Sequence, residues 1–500
     1  MRHARAFIGA LGVWIMAMFE GARWSITRSN IAHSVQSARF EISASSRGEI
    51  VRRSQYFEEN TDIVNRMADL FECYTVGCGL QLNPSSSSPE WNKRAKAWLD
   101  DWSQYPDISS LQSFGILQGL MARKWFVDGE LFIVLVNGES NRPRLQLIEQ
   151  HLVSTPPHLK EQEGKTVIDG IQIDPRGRPI GYYIADEDEK GKKIWGNPKP
   201  ATMVIHLFEP TRPGQYRGLP FVYPVINTIH DLDDLRNLEM GKAKDAAKTT
   251  SVIKTKAGEM PSLSDIYKQK LTTSETISTG GTASVQREKY YQEVVGPEAV
   301  VLQRGDEMDQ HKAESPSAAT QWFWRNLKEE ACSGTGMPYC LVYPETIQGT
   351  VYRGELDAAA LWFCVRSTVI QDALRRIYQA HVMKWAVQNV PELRNGKPAD
   401  WYKVTIRAPR APNVDVGRNS AAMLAELAVG ATNFERIYAP LGLDWREEMD
   451  KLKEQLEYAQ DIGLVDLLAK FTAAQKPAAE PQRNGEPQKN GYRNGVAMAA

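Results

Sequence analysis

The sequence predicts an α+β protein built in several parts, and three observations predict it. Helix-period apolar spacing fills much of residues 47–126, strand-like runs with hairpin chemistry occupy 131–208, and a long helix covers 220–248. At 500 residues the chain exceeds one ordinary core, so two or three substructures are expected. Its 42% hydrophobic and 24% charged residues are those of a soluble globular chain.

The first segment carries Arg2 and Arg5 ahead of an apolar run, 7–19, that superficially resembles a signal peptide. The run is too short to span a bilayer, and Glu20-Gly21-Ala22-Arg23 matches a small-residue cleavage site poorly, so residues 1–29 are expected to form an assembly-contact arm. Over 47–70, Ile50, Tyr56/Phe57, Ile63/Val64, Met67 and Leu70/Phe71 recur at three- and four-residue spacing, which predicts a helix. Val76-Gly77-Cys78-Gly79 ends it in a chain reversal and lacks the third glycine of a dinucleotide fingerprint. A polar loop at 83–89 leads to a second helix, 90–102, with Trp91, Ala95, Trp98 and Leu99 on one face, and a third is expected at 111–126.

The run LFIVLV at 131–136 is continuously apolar, which predicts a strand buried on both faces. Further strands are expected at 145–148, 167–173, 181–184 and 203–208, with Asp174-Pro175-Arg176-Gly177-Arg178-Pro179 as a hairpin turn. The long helix follows. Val222, Val225/Ile226, Ile229, Leu232, Leu235 and Leu238 make a stripe so narrow that packing against neighbouring helices is expected, and its late lysines suit the helix dipole. Residues 251–311 change character, with Gly258, Pro261, Gly280-Gly281 and Gly296-Pro297 punctuating short β-like pieces. Helical signal returns at 317–332, where Trp322, Phe323, Leu327 and Ala331 align, so the order is long helix, compact insertion, helix. A polar loop at 344–350, a long helix at 352–390, a strand at 401–407 and helices at 418–429 and 445–458 complete the order. Beyond 476, near-copies of Gln482-Arg483-Asn484-Gly485 predict disorder.

Function classes narrow by what is missing. With 60 basic and 61 acidic residues, a tight phosphate grip on nucleic acid is not expected. Five cysteines without a C-x-x-C pair predict reduced, buried thiols and no zinc site. No P-loop, H-E-x-x-H or G-x-S-x-G is present, so no catalytic, cofactor-binding or metal residue is assigned. Asp231, Asp233 and Asp234 could hold a metal, but on an exposed helix face solvation or pairing across an interface is the simpler expectation. Asp186-Glu187-Asp188-Glu189 reads as a solvated loop, and His206 and His230 as satisfied packing residues. Lys242, Lys244 and Lys248 are candidates for weak phosphate contact, with solvated surface or intersubunit ion pairs as the alternative.

Several stretches together resemble the lambda-type portal proteins of tailed bacteriophages. They are the helix and Val-Gly-x-Gly-Leu opening at 47–82, the helix leading to Gly129-Glu130 at 118–131, the hairpin at 169–182, and Arg212-Pro213-Gly214-Gln215, Arg217-Gly218 and Pro220 ahead of the long helix. Gly336-Met337-Pro338-Tyr339 continues the resemblance, which spans about 20–465. At 349–354 the sequence GTVYRG departs from the family's usual Asn-Tyr-Ser-Ser-x-Arg; Tyr352 keeps the tyrosine but the serines are absent.

The resemblance implies a ring, usually dodecameric, at one vertex of the viral head, a conduit for packaging and ejection of double-stranded DNA. It implies an arm (1–29), an α+β wing (30–219), a stem helix (220–250), a clip (251–311) and a second stem helix (312–336). A tunnel loop, long wing helix and return strand (337–412), a crown (413–472) and a disordered tail (473–500) follow. Glu345, Gln348, Thr350 and Arg353 are the implied tunnel-loop residues facing DNA. The implied partners are the terminase large subunit, head-completion or tail adaptor proteins and the major capsid or scaffold protein, in the virion and, during assembly, the host cytoplasm; no membrane and no cofactor is implied. Another minor capsid protein, or a nucleic-acid-processing enzyme, is the competing reading.

Overall fold

The computed structural model describes residues 37–138, 141–248, 252–253, 300–301, 317–344, 349–407, 409, 416–438 and 445–462. The chain divides into two compact units, one through Val416 and one from Gly417. The expected arm, most of the clip and the tail lie outside the described residues.

The helix expected at 47–70 is two helices. Helix α1 (Ala44–Asn60) starts where the Ser43 hydroxyl accepts the Ser46 amide at 3.2 Å. It ends at Thr61, whose backbone turns extended (φ −124°, ψ 137°) while its hydroxyl donates to the Phe57 carbonyl at 2.6 Å. Helix α2 (Asp62–Thr75) then buries Ile63, Val64, Met67, Ala68, Leu70 and Phe71. Two glycines at positive φ, Gly77 (61°) and Gly79 (108°), reverse the chain. Strand β1 (Leu82–Pro84) leads to α3 (Pro89–Trp102), with Pro89 at the first turn and Trp91, Ala95, Leu99 and Trp102 inward. Both deep indoles keep a partner: Trp91 Nε1–H donates to the Leu393 carbonyl at 3.0 Å and Trp102 Nε1–H to that of Pro143 at 2.8 Å. Helix α4 (Phe114–Asp128) ends at Gly129, φ 82°.

The expected both-face burial is seen in β2 (Glu130–Asn137), the middle strand of an antiparallel sheet ordered β10-β2-β3, where β3 is Pro143–Ile148 and β10 is Val204–Phe208. Because side chains alternate along a strand, Leu131, Ile133 and Leu135 enter the main helical core. Phe132 and Val134 enter a smaller core with Ile148, Val153, Ile168, Ile171, Ile173, Tyr182 and Val204. That smaller core is roofed by a four-stranded sheet, β4 (Val167–Ile168), β5 (Ile171–Ile173), β6 (Pro179–Tyr182) and β9 (Lys199–Pro200), in that order.

The single strand expected at 167–173 is therefore a hairpin. Asp169 (φ 43°) and Gly170 (φ 83°) form its two-residue turn, where positive φ at both positions matches the right-handed twist of the flanking strands. The turn at 174–179 forms as expected: the Asp174 carboxylate accepts the amides of Arg176 and Arg178 at 2.9 and 2.8 Å. An unanticipated hairpin, β7 (Ala185–Glu187) with β8 (Lys193–Trp195), takes up Asp186 and Glu187 of the acidic run, and Asp188 caps its turn.

The long helix begins later than expected. A 3-10 turn at Tyr223–Val225 holds Pro224, and α5 runs Ile226–Lys248, about 34 Å at 1.5 Å per residue. Strands β11 (Val252–Ile253) and β12 (Val300–Val301) pair in parallel beyond it. Helix α6 (Ala318–Thr335) is capped by Ser317 and stopped by Gly336 at φ 75°, where a Cβ would lie 2.7 Å from Trp362 Nε1. Helix α7 (Gly349–Ile377) passes through a π turn, Tyr378–Val382, into α8 (Met383–Asn389). The π turn sets His381 Nε2 against the carbonyls of Val136 and Arg144, at 2.8 and 3.1 Å. Strand β13 (Val404–Ile406), shorter than expected, pairs antiparallel with β1.

The second unit holds α9 (Val416–Ala428), α10 (Phe434–Tyr438) and α11 (Trp445–Asp461). On α11 Ala459 is buried, while Leu452 and Leu456 of the same stripe are exposed.

Candidate functional site

Helices α5 and α6 run antiparallel, since Gly334 near the end of α6 leaves only enough room for Val225 just ahead of α5. Their root is inside: Val222, Val225, Ile226, Ile229 and Leu232 on one side and Ala331, Cys332 and Thr335 on the other are buried. Their far ends are not. Leu238 (64%) and Met240 on α5, and Trp322 (65%) and Phe323 on α6, are exposed. The stripe thus serves two surfaces, its first half filling the chain's own core and its second half open.

Charges on the pair are satisfied locally. Asp233 pairs with Arg236 at 2.7 Å, His230 with Asp234 at 3.2 Å, and Lys242 with Glu239 at 2.8 Å. The first two, open to solvent, contribute only a few tenths of a kcal/mol, roughly, whereas Glu239 of the third is buried. Lys244 is exposed on α5, and Lys248 is the helix's last residue. Glu345 and Gln348 lie outside the described residues. Thr350 and Arg353 fall in the first turns of α7, which starts at Gly349, so the helix expected from 352 begins earlier and takes in the end of the loop expected at 344–350. The cysteine expectation needs dividing: Cys332 and Cys340 are buried, their thiols pushed up to about 12 chiefly by burial, whereas Cys73, Cys78 and Cys364 are exposed.

Behind the root of the pair lies a cluster that no local pattern announces. Glu130 is fully buried where α4 gives way to β2, and Arg217 reaches it with Nε at 2.8 Å and Nη2 at 2.7 Å. Arg47 of α1 donates to Glu130 at 3.2 Å and to Asp169 through Nε at 2.9 Å, and also bonds the Gln150 side chain. Arg217 further donates to the carbonyls of Val153 and Gln150 at 3.0 Å each and to that of Asp169. Two cations and two anions cancel, which is what lets charge persist away from water.

Burial alone would push the Glu130 carboxyl up; Arg217, the His206 hydrogen bond and Arg47 outweigh it and hold it far below the usual range. Burial pushes the His206 imidazole down despite its 2.9 Å contact with Glu130, and the ring stacks between Phe132 and Phe208, a satisfied packing residue. Next door, Asp128 has one oxygen bonded by Gln55 at 2.9 Å and the other buried without a partner. Burial pushes its carboxyl up to about 6.

The cluster is built from residues of the motif stretches: Arg47 and Asp169, which open two of them, Glu130 after Gly129, and Arg217 before Gly218. An α+β body from which a helix pair extends apolar side chains is the build of a structural assembly subunit. Residues 27–346 match the family model for the phage portal protein, lambda family. The chain belongs to that family.

Among curated relatives, the probable portal protein of Halomonas phage phiHAP-1 is 26% identical over 32% of this chain and 31% of its own. Portal protein B of Escherichia phage lambda is 23% identical over 42% of each chain, and the portal protein of Escherichia phage N15 is 22% identical over 40% of this chain and 39% of its own. The matched stretches thus span under half of each relative. A chain from the neck of the native gene transfer agent particle, computed with C12 symmetry, is 14% identical over 80% of this chain and 94% of its own, with TM-score 0.42. A chain from the virion of the native gene transfer agent particle is 15% identical over 81% and 98%, with TM-score 0.40.

Proposed function

We propose that the chain is a portal subunit, a non-enzymatic head–tail connector protein that closes with copies of itself into a ring, most simply a dodecamer, at one capsid vertex. The observation that carries it is the open apolar end of the α5–α6 pair, with Leu238, Met240, Trp322 and Phe323 exposed on a chain of the portal family. Head-to-tail contact between neighbouring pairs in a closed ring would bury those side chains on every copy and leave none at an edge.

On this reading α5 and α6 are stem helices around a channel for double-stranded DNA, and the segment between them is the clip. The clip receives the terminase large subunit during packaging and head-completion or tail adaptor proteins afterwards. The 37–219 body is the wing, and the helices after Val416 form the crown, toward the capsid interior and its major capsid or scaffold protein. Assembly takes place in the host cytoplasm. Lys242, Lys244 and Lys248 on the stem, Thr350 and Arg353 at the start of α7, and Glu345 and Gln348, which precede it in sequence, are the DNA-facing candidates. A formal net charge of −1 suits a conduit through which DNA must slide. Electron micrographs of the purified chain test this: top views should show rings whose hole, about 25–40 Å, admits a duplex about 20 Å across. A monomer at micromolar concentration with no rings would overturn it.

A further inference from the structure

The buried charge cluster sits where the chain leaves the body for the stem. Arg217 and Gly218 belong to the segment that runs from β10 to α5, while Glu130, Arg47 and Asp169 belong to the α4–β2 junction, α1 and the β4–β5 turn. We propose that this cluster is a joint that fixes the direction in which the α5–α6 pair leaves the body.

Three further contacts make the segment stiff. The Gly218 amide donates to the second Glu130 oxygen at 2.7 Å. The Phe221 amide donates to the Phe126 carbonyl at 3.0 Å, and the two rings stack at 5.3 Å with planes 14° apart. Pro220 and Pro224 fix φ on either side of Phe221, so little slack remains before Ile226. A guanidinium presents its donors in one rigid plane, and Arg217 directs them at three separate elements of the body, Glu130 at the head of β2, the 150–153 turn and the Asp169 turn. Swinging the stem about its root would drag that plane out of register with all three at once. Stability alone does not call for this arrangement, because apolar side chains of the same volume would pack as well or better. What charges in a fixed fork add is direction.

The joint is a property of the single chain; only its consequence for a channel rests on the portal reading. Hydrogen exchange read by mass spectrometry on the full chain tests it with Arg217→Lys, which keeps the charge and loses the fork. Amides from 219 to 232 should exchange about tenfold faster, with those of α3 unchanged. Ile171→Val, in the adjacent smaller core, should leave 219–232 at the wild-type rate. If Arg217→Lys does not fold, Arg47→Lys loosens the joint from the α1 side and should give the same pattern at smaller amplitude. Wild-type protection over 219–232 in the folded lysine variant, or acceleration spread evenly over the chain, would overturn the joint. Absence of rings from the wild-type chain would instead sink the portal reading and leave the exchange result standing.

Discussion

Gly218 lies backbone against backbone on Gly129, so closely that a Cβ on Gly218 would run into the Gly129 carbonyl oxygen and lie 2.8 Å from the Glu130 Cβ. The contact delivers the Gly218 amide to Glu130 and sets Arg217 over the same carboxylate. Two glycines 89 positions apart therefore decide whether the buried charges meet, for a steric reason before an electrostatic one.

Gly218→Ala should accordingly cost about 2–4 kcal/mol, since the methyl meets backbone that cannot step aside. Gly48→Ala is the control. Its Cβ meets nothing within 4 Å in the interior of α1, so it should stabilise by up to about 1 kcal/mol. Urea unfolding of the two variants beside the wild type checks both signs.

Asp128 and Glu130, two residues apart, should tilt the pH dependence of stability in opposite directions. The Asp128 carboxyl is pushed up to about 6 by burial, above its ordinary 3.8, so its contribution is fully present below that ordinary value and is lost as pH rises through 6. Asp128→Asn should stabilise at pH 7 by at most about 3 kcal/mol and flatten the slope between pH 4 and 7. Glu130 is held far below its ordinary 4.5, so its contribution is present above that value and is lost as pH falls toward the folded pKa. Glu130→Gln leaves two buried guanidinium groups to share the one carboxylate of Asp169 and should cost about 3–5 kcal/mol at neutral pH. Thermal unfolding from pH 2 to 8 separates the two, with the Glu130 loss below about pH 4.5 and the Asp128 slope above it; an unchanged slope in Asp128→Asn would show that its carboxyl is better solvated than its position implies.

How far the sequence carries can be judged at these residues. The run at 131–136 announced a strand with a core on each face, because apolar residues at successive positions have no other economical use. The two long helices α5 and α6 were legible from apolar spacing. The charge cluster was not. Arg47, Glu130, Asp169 and Arg217 stand out only as motif members, and they are 48 to 122 residues apart along the chain where they pair, beyond the reach of any local periodicity. The Asp169-Gly170 turn carried a signal that the strand reading overrode, since an Asp-Gly pair between β-branched residues is a hairpin mark. Thr61 gave none: threonine is tolerated inside helices, and only its extended backbone shows that α1 ends there.

On the α5–α6 pair, Leu238→Ser and Trp322→Ser remove side chains that are more than three-fifths exposed in the single chain. Each should change the stability of the isolated subunit by no more than about 0.5 kcal/mol. Ring formation should nevertheless weaken sharply, because in the proposed ring the same atoms leave water. Sedimentation velocity and denaturation on the same preparations read the two effects apart. Rings of wild-type abundance in both variants would move the subunit contact away from the stem.

The lysines of α5 should differ in what they lend to DNA. Lys242 is engaged by Glu239 at 2.8 Å, an acid buried to 9% exposure, so drawing it to a phosphate means giving up that partner. Lys244, two residues on, lies on a different face and is exposed. Each phosphate neutralised releases condensed counterions, and the slope of log affinity against log salt changes by about 0.9 per contact per subunit engaged. Lys244→Gln should therefore flatten the salt dependence of duplex retention by assembled rings, and Lys242→Gln should do so less. Both variants should keep the wild-type ring yield, which separates a lost phosphate contact from a lost subunit contact. A salt slope identical to wild type in Lys244→Gln would place α5's charged face away from the channel, toward a neighbouring subunit.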